Sequence, residues 1–107
     1  MPARWITYMV ECRDGALYVG ITTDLPRRLD MHNRGVASRF TRARRPVRYR
    51  FAEPHTTRAE ASKREYELKQ WRRARKLALL TSPGNLLDTL LAGAPSLPAG
   101  AASRTAP

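Results

Sequence analysis

The stretch that most limits the fold is Thr7 to Thr22, TYMVECRDGALYVGIT: two short apolar runs hinged at Arg13-Asp14-Gly15, with one tyrosine in each. Residues 4–12 and 16–22 are rich in Ile, Val, Tyr, Thr and Trp, and an Asp-Gly between such runs predicts a β-hairpin. Loop length then decides which side chains share a face, because successive strand residues point to opposite sides of a sheet. A two-residue Asp14-Gly15 turn would put Tyr8 and Tyr18 on opposite faces. A three-residue Arg13-Asp14-Gly15 loop with Gly15 left-handed would set Tyr8 opposite Gly20 and Tyr18 opposite Val10, both rings on one face. The other face would carry Trp5, Met9, Leu17, Val19 and Ile21, an apolar set suited to burial under helices. That agreement favours the three-residue loop.

The run TDLPRRLDMHNRG reads as a helix, with Asp24 as N-cap, Pro26 in the first turn and Gly35 to end it. On a helical wheel Leu25, Arg28, Leu29 and His32 fall on one side, and Arg27, Asp30 and Arg34 on the other. The cationic connection SRFTRARRP leads to a third strand from Pro46-Val47 to Glu53. Thr57 and Glu60 form a capping-box pattern that starts a second helix, about Arg58 to Gln70. Its small or apolar arc is Ala59, Ala61, Ser62, Tyr66 and Leu68, with Glu65 near the centre. Burying an unpaired carboxylate costs several kcal/mol, so an inward Glu65 needs a cation, a metal or a set of donors. Lys69, four residues on, is one partner; a divalent ion is another.

These elements predict an α+β fold, a small three-stranded antiparallel sheet flanked by helices. Residues 1–81 form the domain, and 82–93 a short leucine-rich helix that packs on it. The Ala, Pro, Ser and Gly of residues 94–107 predict a disordered, low-complexity tail.

Twenty Lys and Arg against nine Asp and Glu give a net charge of +11, which points to a polyanionic partner, nucleic acid first. A lone Cys12 forms no internal disulfide, and no Cys/His spacing closes a zinc site. No signal-peptide pattern or membrane-spanning apolar run is present, so a cytoplasmic protein with no membrane partner is expected.

Tyr8, Tyr18, Arg28, His32 and Glu65 collect on the tyrosine side from two strands and two helices, and over residues 4–80 the chain resembles the GIY-YIG nuclease domain. Ile6-Thr7-Tyr8 stands where the family's first triplet lies, and Tyr18-Val19-Gly20 where the second lies. Arg28 and His32 match the helix motif, and Glu65 matches the metal-binding glutamate. LYVGITTDLPRRLDMHNRG with TRARRP is most similar to the small stand-alone bacterial branch.

The resemblance implies a metal-dependent endonuclease that hydrolyses phosphodiester bonds in DNA, structure-directed or weakly specific, with a place in DNA repair or recombination. Glu65 would hold one Mg²⁺ or Mn²⁺ on the scissile phosphate. Arg28 would grip that phosphate, Tyr8 would act as the base, Tyr18 would position the attacking water and His32 would transfer a proton or hold phosphate. A free phenol is only about one part in a thousand ionised at pH 7, so Tyr8 needs help from its surroundings. No small-molecule cofactor is implied, and the expected state is a monomer or weak homodimer. The alternative is a non-catalytic nucleic-acid-binding module that retains the fold.

Arg27, Arg39, Thr41, Arg42, Arg44, Arg45, Arg72 and Arg73 are the expected nucleic-acid contacts, directed at phosphate rather than at base edges. His55 and Cys12 are expected to be structural, and Trp71 to pack at a helix end. Binding to duplex DNA is therefore expected to weaken with salt. If about six phosphates are neutralised, the log–log slope is near −5 in fluorescence anisotropy titrations, and a flat dependence would contradict the basic-surface argument.

Overall fold

The computed structural model describes residues 5–93; the expected C-terminal tail lies outside them. Strands β1 (Trp5–Cys12), β2 (Leu17–Thr22) and β3 (Val47–His55) form one antiparallel sheet in the order β2-β1-β3. Helices α1 (Leu25–Arg34) and α2 (Arg39–Arg42) lie between β2 and β3 in the chain. After β3 come α3 (Arg58–Lys69), α4 (Arg73–Leu79) and α5 (Leu87–Ala92). The fold is α+β, with the antiparallel sheet and flanking helices that the patterning predicts.

The hairpin has the three-residue loop. Tyr8 pairs with Gly20 and Val10 with Tyr18, so the two tyrosines share a face. Gly15 has φ +86°, a left-handed conformation that glycine adopts without Cβ strain. The Asp14 carboxylate accepts from the Ala16 N–H at 3.1 Å, and Gly15 N–H donates to the Cys12 carbonyl at 2.9 Å.

Between β1 and β3 the register slips, with Met9 opposite Phe51 but Val10 opposite Tyr49. Arg50 is the extra residue of this bulge. It lets Tyr49 and Ala52, three positions apart, lie on one face. That face holds Ile6, Tyr8, Val10, Cys12, Val47, Tyr49 and Ala52 under Leu25 and Leu29 of α1 and Leu87 and Leu90 of α5. The opposite face buries Met9, Val19 and Phe51 against Leu68 of α3, with Leu17, Trp71, Leu79 and Leu80 around them. Thr7, on the second face, donates from Oγ1 to the Ala61 carbonyl at 3.0 Å, which fixes α3 across it.

The caps follow the sequence, with one variation. Asp24 accepts from the Arg27 N–H at 3.1 Å and opens α1, and Gly35 closes it. Thr57 accepts from the Glu60 N–H at 3.1 Å, but the Glu60 carboxylate reaches back to the N–H and hydroxyl of Thr56, one residue before the expected partner.

Three expectations need correction. The third strand runs on to His55, two residues past Glu53. The cationic run, read as a connection, contains the single turn of α2, and a further helix, α4, follows Trp71. On α3, Ala59 and Tyr66 lie outside the inward arc, Tyr66 at 70% exposure, and the buried residues are Ala61 and Leu68.

Gly20 fills its place for lack of a side chain. A Cβ there would come within 2.5 Å of the Tyr8 hydroxyl oxygen and 2.6 Å of Cζ, and Tyr8 has no exposed surface into which to retreat. Gly20→Ala is expected to destabilise the protein by about 2 kcal/mol in urea unfolding, the usual range for an overpacked core. The cost should shrink when Tyr8 is shortened to Val, because the two sites share one contact.

Candidate active site

The tyrosine face carries a chain of hydrogen bonds that begins at Arg28. Its Nε donates to the Tyr8 hydroxyl at 3.2 Å, and that hydroxyl lies 2.6 Å from Nε2 of His32. His32 Nδ1 is 2.8 Å from Oγ1 of Thr41, which is 2.8 Å from Oγ of Ser38. Tyr8, His32 and Thr41 are fully buried. Arg28 and His32, four residues apart on α1, present successive turns to the sheet. The helix is set against the sheet by Tyr49, whose hydroxyl donates to the Leu25 carbonyl at 2.7 Å and whose ring meets Tyr8 edge-on at 5.4 Å.

Burial sets the protonation of this chain. It pushes the Tyr8 phenol up to about 12; the hydrogen bond and charge of Arg28 oppose the rise, and Tyr18 and Glu65 add to it. Burial lowers His32 to about 4, and the Arg28 charge lowers it further. At neutral pH the pair is an un-ionised phenol and a neutral imidazole. A guanidinium N–H only donates, so the phenol oxygen accepts from Arg28, and among the described residues Nε2 is the acceptor its own proton can reach.

Tyr18 is half-buried beside this chain. Its ring meets His32 edge-on at 5.5 Å and stacks on Phe40 at 5.8 Å with 24° between the planes. Arg44 lies 3.9 Å over the Phe40 ring, bonds Asp14 at 3.1 Å and donates to the Phe40 carbonyl at 3.0 Å. Sequence reasoning missed Phe40, which is 38% exposed and forms a lip over the site.

Glu65 reaches the site from the other side of the sheet. α3 packs on the Met9 face, but β2 is an edge strand, so side chains of α3 can pass round it. Glu65 is half-buried and pairs with Lys69 Nζ at 3.2 Å, and Lys69 lies 5.4 Å from the Tyr18 ring. The cation this carboxylate meets here is Lys69, the local partner that the spacing allows. Among the described residues no three His, Cys, Asp or Glu side chains converge as a cage. Glu65 is thus a single hard-oxygen donor, half-buried and near enough to Tyr8 to raise its pKa. That donor set fits Mg²⁺ or Mn²⁺, which take one or two carboxylates and complete their shells with water and phosphate. It does not fit zinc, which takes three or four protein ligands.

The expected nucleic-acid contacts divide. Arg27 on α1, Arg39 and Arg42 on α2, Arg45 after it, and Arg72 and Arg73 at the start of α4 are exposed. Arg73 donates to the Gly15 carbonyl at 2.7 Å and Arg45 to the Arg42 carbonyl at 2.9 Å, which orients both. Arg44 is tied down by Asp14 and Phe40. Thr41 is a correction: a fully buried hydroxyl cannot touch nucleic acid, and it is engaged with His32 instead. His55 is held between strand and helix, 3.1 Å from Glu53, which also takes Arg64 at 3.0 Å. Trp71 packs on the Leu68 cluster, with Arg75 3.8 Å over its ring.

The family model of the GIY-YIG catalytic domain matches residues 4–78. A UPF0213 protein of Xanthomonas campestris pv. campestris is 47% identical over 85 residues, 79% of this chain and 83% of its own length. A UPF0213 protein of Staphylococcus aureus is 45% identical over 73 residues, 68% of this chain and 89% of its own. The solution NMR structure of a UPF0213 protein from Bacillus halodurans is 36% identical, covering 75% of this chain and 85% of that one, with a TM-score of 0.49.

The depressed His32 has a thermodynamic signature. Between its folded value of about 4 and the unfolded value near 6.5, the unfolded chain binds the extra proton and the native state does not. Stability therefore rises with pH across that window, by about 3 kcal/mol from this group, and is lost as pH falls. Urea melts between pH 4 and 7 compared with those of His32→Gln should isolate the effect, and an NMR titration of His32 should show no midpoint near 6.5.

Proposed function

The chain belongs to the GIY-YIG catalytic-domain family, and from that premise we propose that it is a metal-dependent endonuclease that hydrolyses phosphodiester bonds in DNA. It acts by structure or with weak sequence specificity, in repair or recombination. The observation that carries this reading is the Arg28–Tyr8–His32 chain, its phenol and imidazole buried, flanked by Tyr18 and Glu65 and rimmed by exposed arginines.

Arg28 uses Nε on Tyr8 and keeps its two Nη groups for a bidentate grip on the scissile phosphate. A phosphate held there is brought to the phenol. Tyr8 is fully covered in the free protein, so the reaction requires the site to open enough to admit one water to the hydroxyl.

Ionising Tyr8 outright at pH 7 would cost on the order of 7 kcal/mol with its pKa near 12. A relay through the neutral phenol costs less. Tyr8 takes a proton from the attacking water while its own proton passes to His32 Nε2, and the water oxygen attacks phosphorus as the bond to the leaving oxygen opens. The proton rests on His32 as imidazolium, about 4 kcal/mol uphill at pH 7 with a pKa near 4. Tyr8 is thus the base, His32 the terminal acceptor, and Tyr18, half-exposed at the same wall, orients the water.

Glu65 would hold Mg²⁺ or Mn²⁺, which supplies positive charge to the phosphate and the departing oxygen, and Lys69 would release the carboxylate to it. The exposed arginines on α1, α2 and α4 grip flanking phosphates. The second reading, a binding module without chemistry, has the Glu65–Lys69 pair in its favour.

Incubation with duplex, single-stranded, flap and junction DNAs in Mg²⁺ or Mn²⁺ separates the two. The nuclease reading expects cleavage of at least one substrate, reduced by about 10²-fold or more in Tyr8→Phe and in Glu65→Gln. Tight binding without cleavage on every substrate would leave the binding module.

A further inference from the structure

The hydrogen-bond chain does not stop at His32, and its far end lies on the one-turn helix α2. Nδ1 of His32 is 2.8 Å from Thr41 Oγ1, and Thr41 Oγ1 has two oxygens of Ser38 in reach, Oγ at 2.8 Å and the carbonyl at 3.5 Å. Ser38 Oγ also accepts the Thr41 N–H at 3.1 Å as the N-cap of α2. These distances allow one continuous run of donation from the phenol to the surface. If Tyr8 donates to Nε2, the neutral ring carries its proton on Nδ1 and must donate it to Thr41. Thr41 then passes its own hydroxyl proton to Ser38, whose oxygens are acceptors at the surface end.

We propose that Thr41, backed by Ser38, is a positioning residue that selects the Nδ1–H tautomer of His32 and so keeps Nε2 free to accept the Tyr8 proton. The proposal rests on the nuclease reading for its catalytic meaning, but the tautomer itself is a property of the folded protein. In the opposite tautomer Nε2 would donate to the phenol oxygen, the Tyr8 proton would have no acceptor among the described residues, and the relay would be closed. When the relay runs, the Tyr8 O–H bond breaks as an Nε2–H bond forms, the water proton replaces it on the phenol, and the positive charge is shared with an Nδ1–H already bonded to Thr41. Neither Thr41 nor Ser38 touches the reacting atoms.

Thr41→Val keeps the shape and removes the acceptor, while Thr41→Ser keeps both the hydroxyl and the spacing. Long-range ¹H–¹⁵N correlation spectra of histidine-labelled protein report which ring nitrogen carries the proton, with no need for substrate. The expected result is an Nδ1–H tautomer in the wild type and in Thr41→Ser, and a loss or reversal of that preference in Thr41→Val. On a substrate that the wild type cleaves, kcat should fall by about 10–100-fold in Thr41→Val with KM unchanged, the range for losing an outer partner of a functional histidine, and recover in Thr41→Ser. A wild-type Nε2–H tautomer, or a Thr41→Val spectrum indistinguishable from wild type, would overturn the proposal. Should Thr41→Val fail to fold, the wild-type tautomer and the weaker shift expected in Ser38→Ala decide it. A protein that cleaves nothing yet shows the expected tautomers would remove the nuclease reading and leave the assignment standing.

Discussion

The site depends on one buried hydrogen bond, between the Tyr8 hydroxyl and the His32 imidazole at 2.6 Å. A phenol with no exposed surface needs an acceptor, since leaving one buried polar group unpaired costs about 1–3 kcal/mol. That requirement sets the rest. The edge strand must carry glycine opposite Tyr8 to give the hydroxyl room, and α1 must lie close enough to deliver His32. Tyr49 holds that helix by its Leu25 carbonyl, and the β3 bulge is what puts Tyr49 on the same face.

Charge is distributed in layers. The chain carries +11 overall, yet the fully buried groups of this hydrogen-bond chain are neutral: a phenol, an imidazole and the Thr41 hydroxyl. Burial keeps them so, raising the phenol and lowering the imidazole. Arginine stands at the boundary, since Arg28 touches the neutral chain with Nε while the exposed arginines face solvent. In the proposed enzyme field and chemistry are thus separated: the rim would attract a polyanion from a distance, and the interior would move a proton.

Much of this was legible in the sequence because local rules governed it. The alternation of strand faces and the left-handed demand on Gly15 together chose the three-residue loop, which put both tyrosines on one wall. Asp24 and Gly35 bounded α1 through cap chemistry alone. Where tertiary contacts decide, local rules fall short. Thr41 stands among arginines and reads as part of their surface, but its partner is His32, nine residues away across a packed interface. α4 has no side-chain cap at Arg72 and no fully buried residue, so neither of the usual helix signals marks it. On α3 the small residues blurred the wheel: Ala61 and Leu68 face the sheet with Glu65 half-buried on the same stripe, while Ala59 and Tyr66 turn outward. The Ser38-to-Thr41 spacing of a helix cap was the one cue that could have pointed to the far end of the chain.

Ser38 has two roles whose combination matters. Its side chain is the cap that holds α2 in helical form, and it is the terminal oxygen behind Thr41. α2 is a single turn of four residues, a length at which isolated helix is unstable and opening is governed by a few local bonds. Unwinding that turn and disconnecting His32 from its orienting hydroxyl are therefore one event. Since Arg39 and Arg42 stand exposed on the same turn, whatever steadies their backbone also steadies the imidazole, and the integrity of the interior is linked to occupancy of the rim.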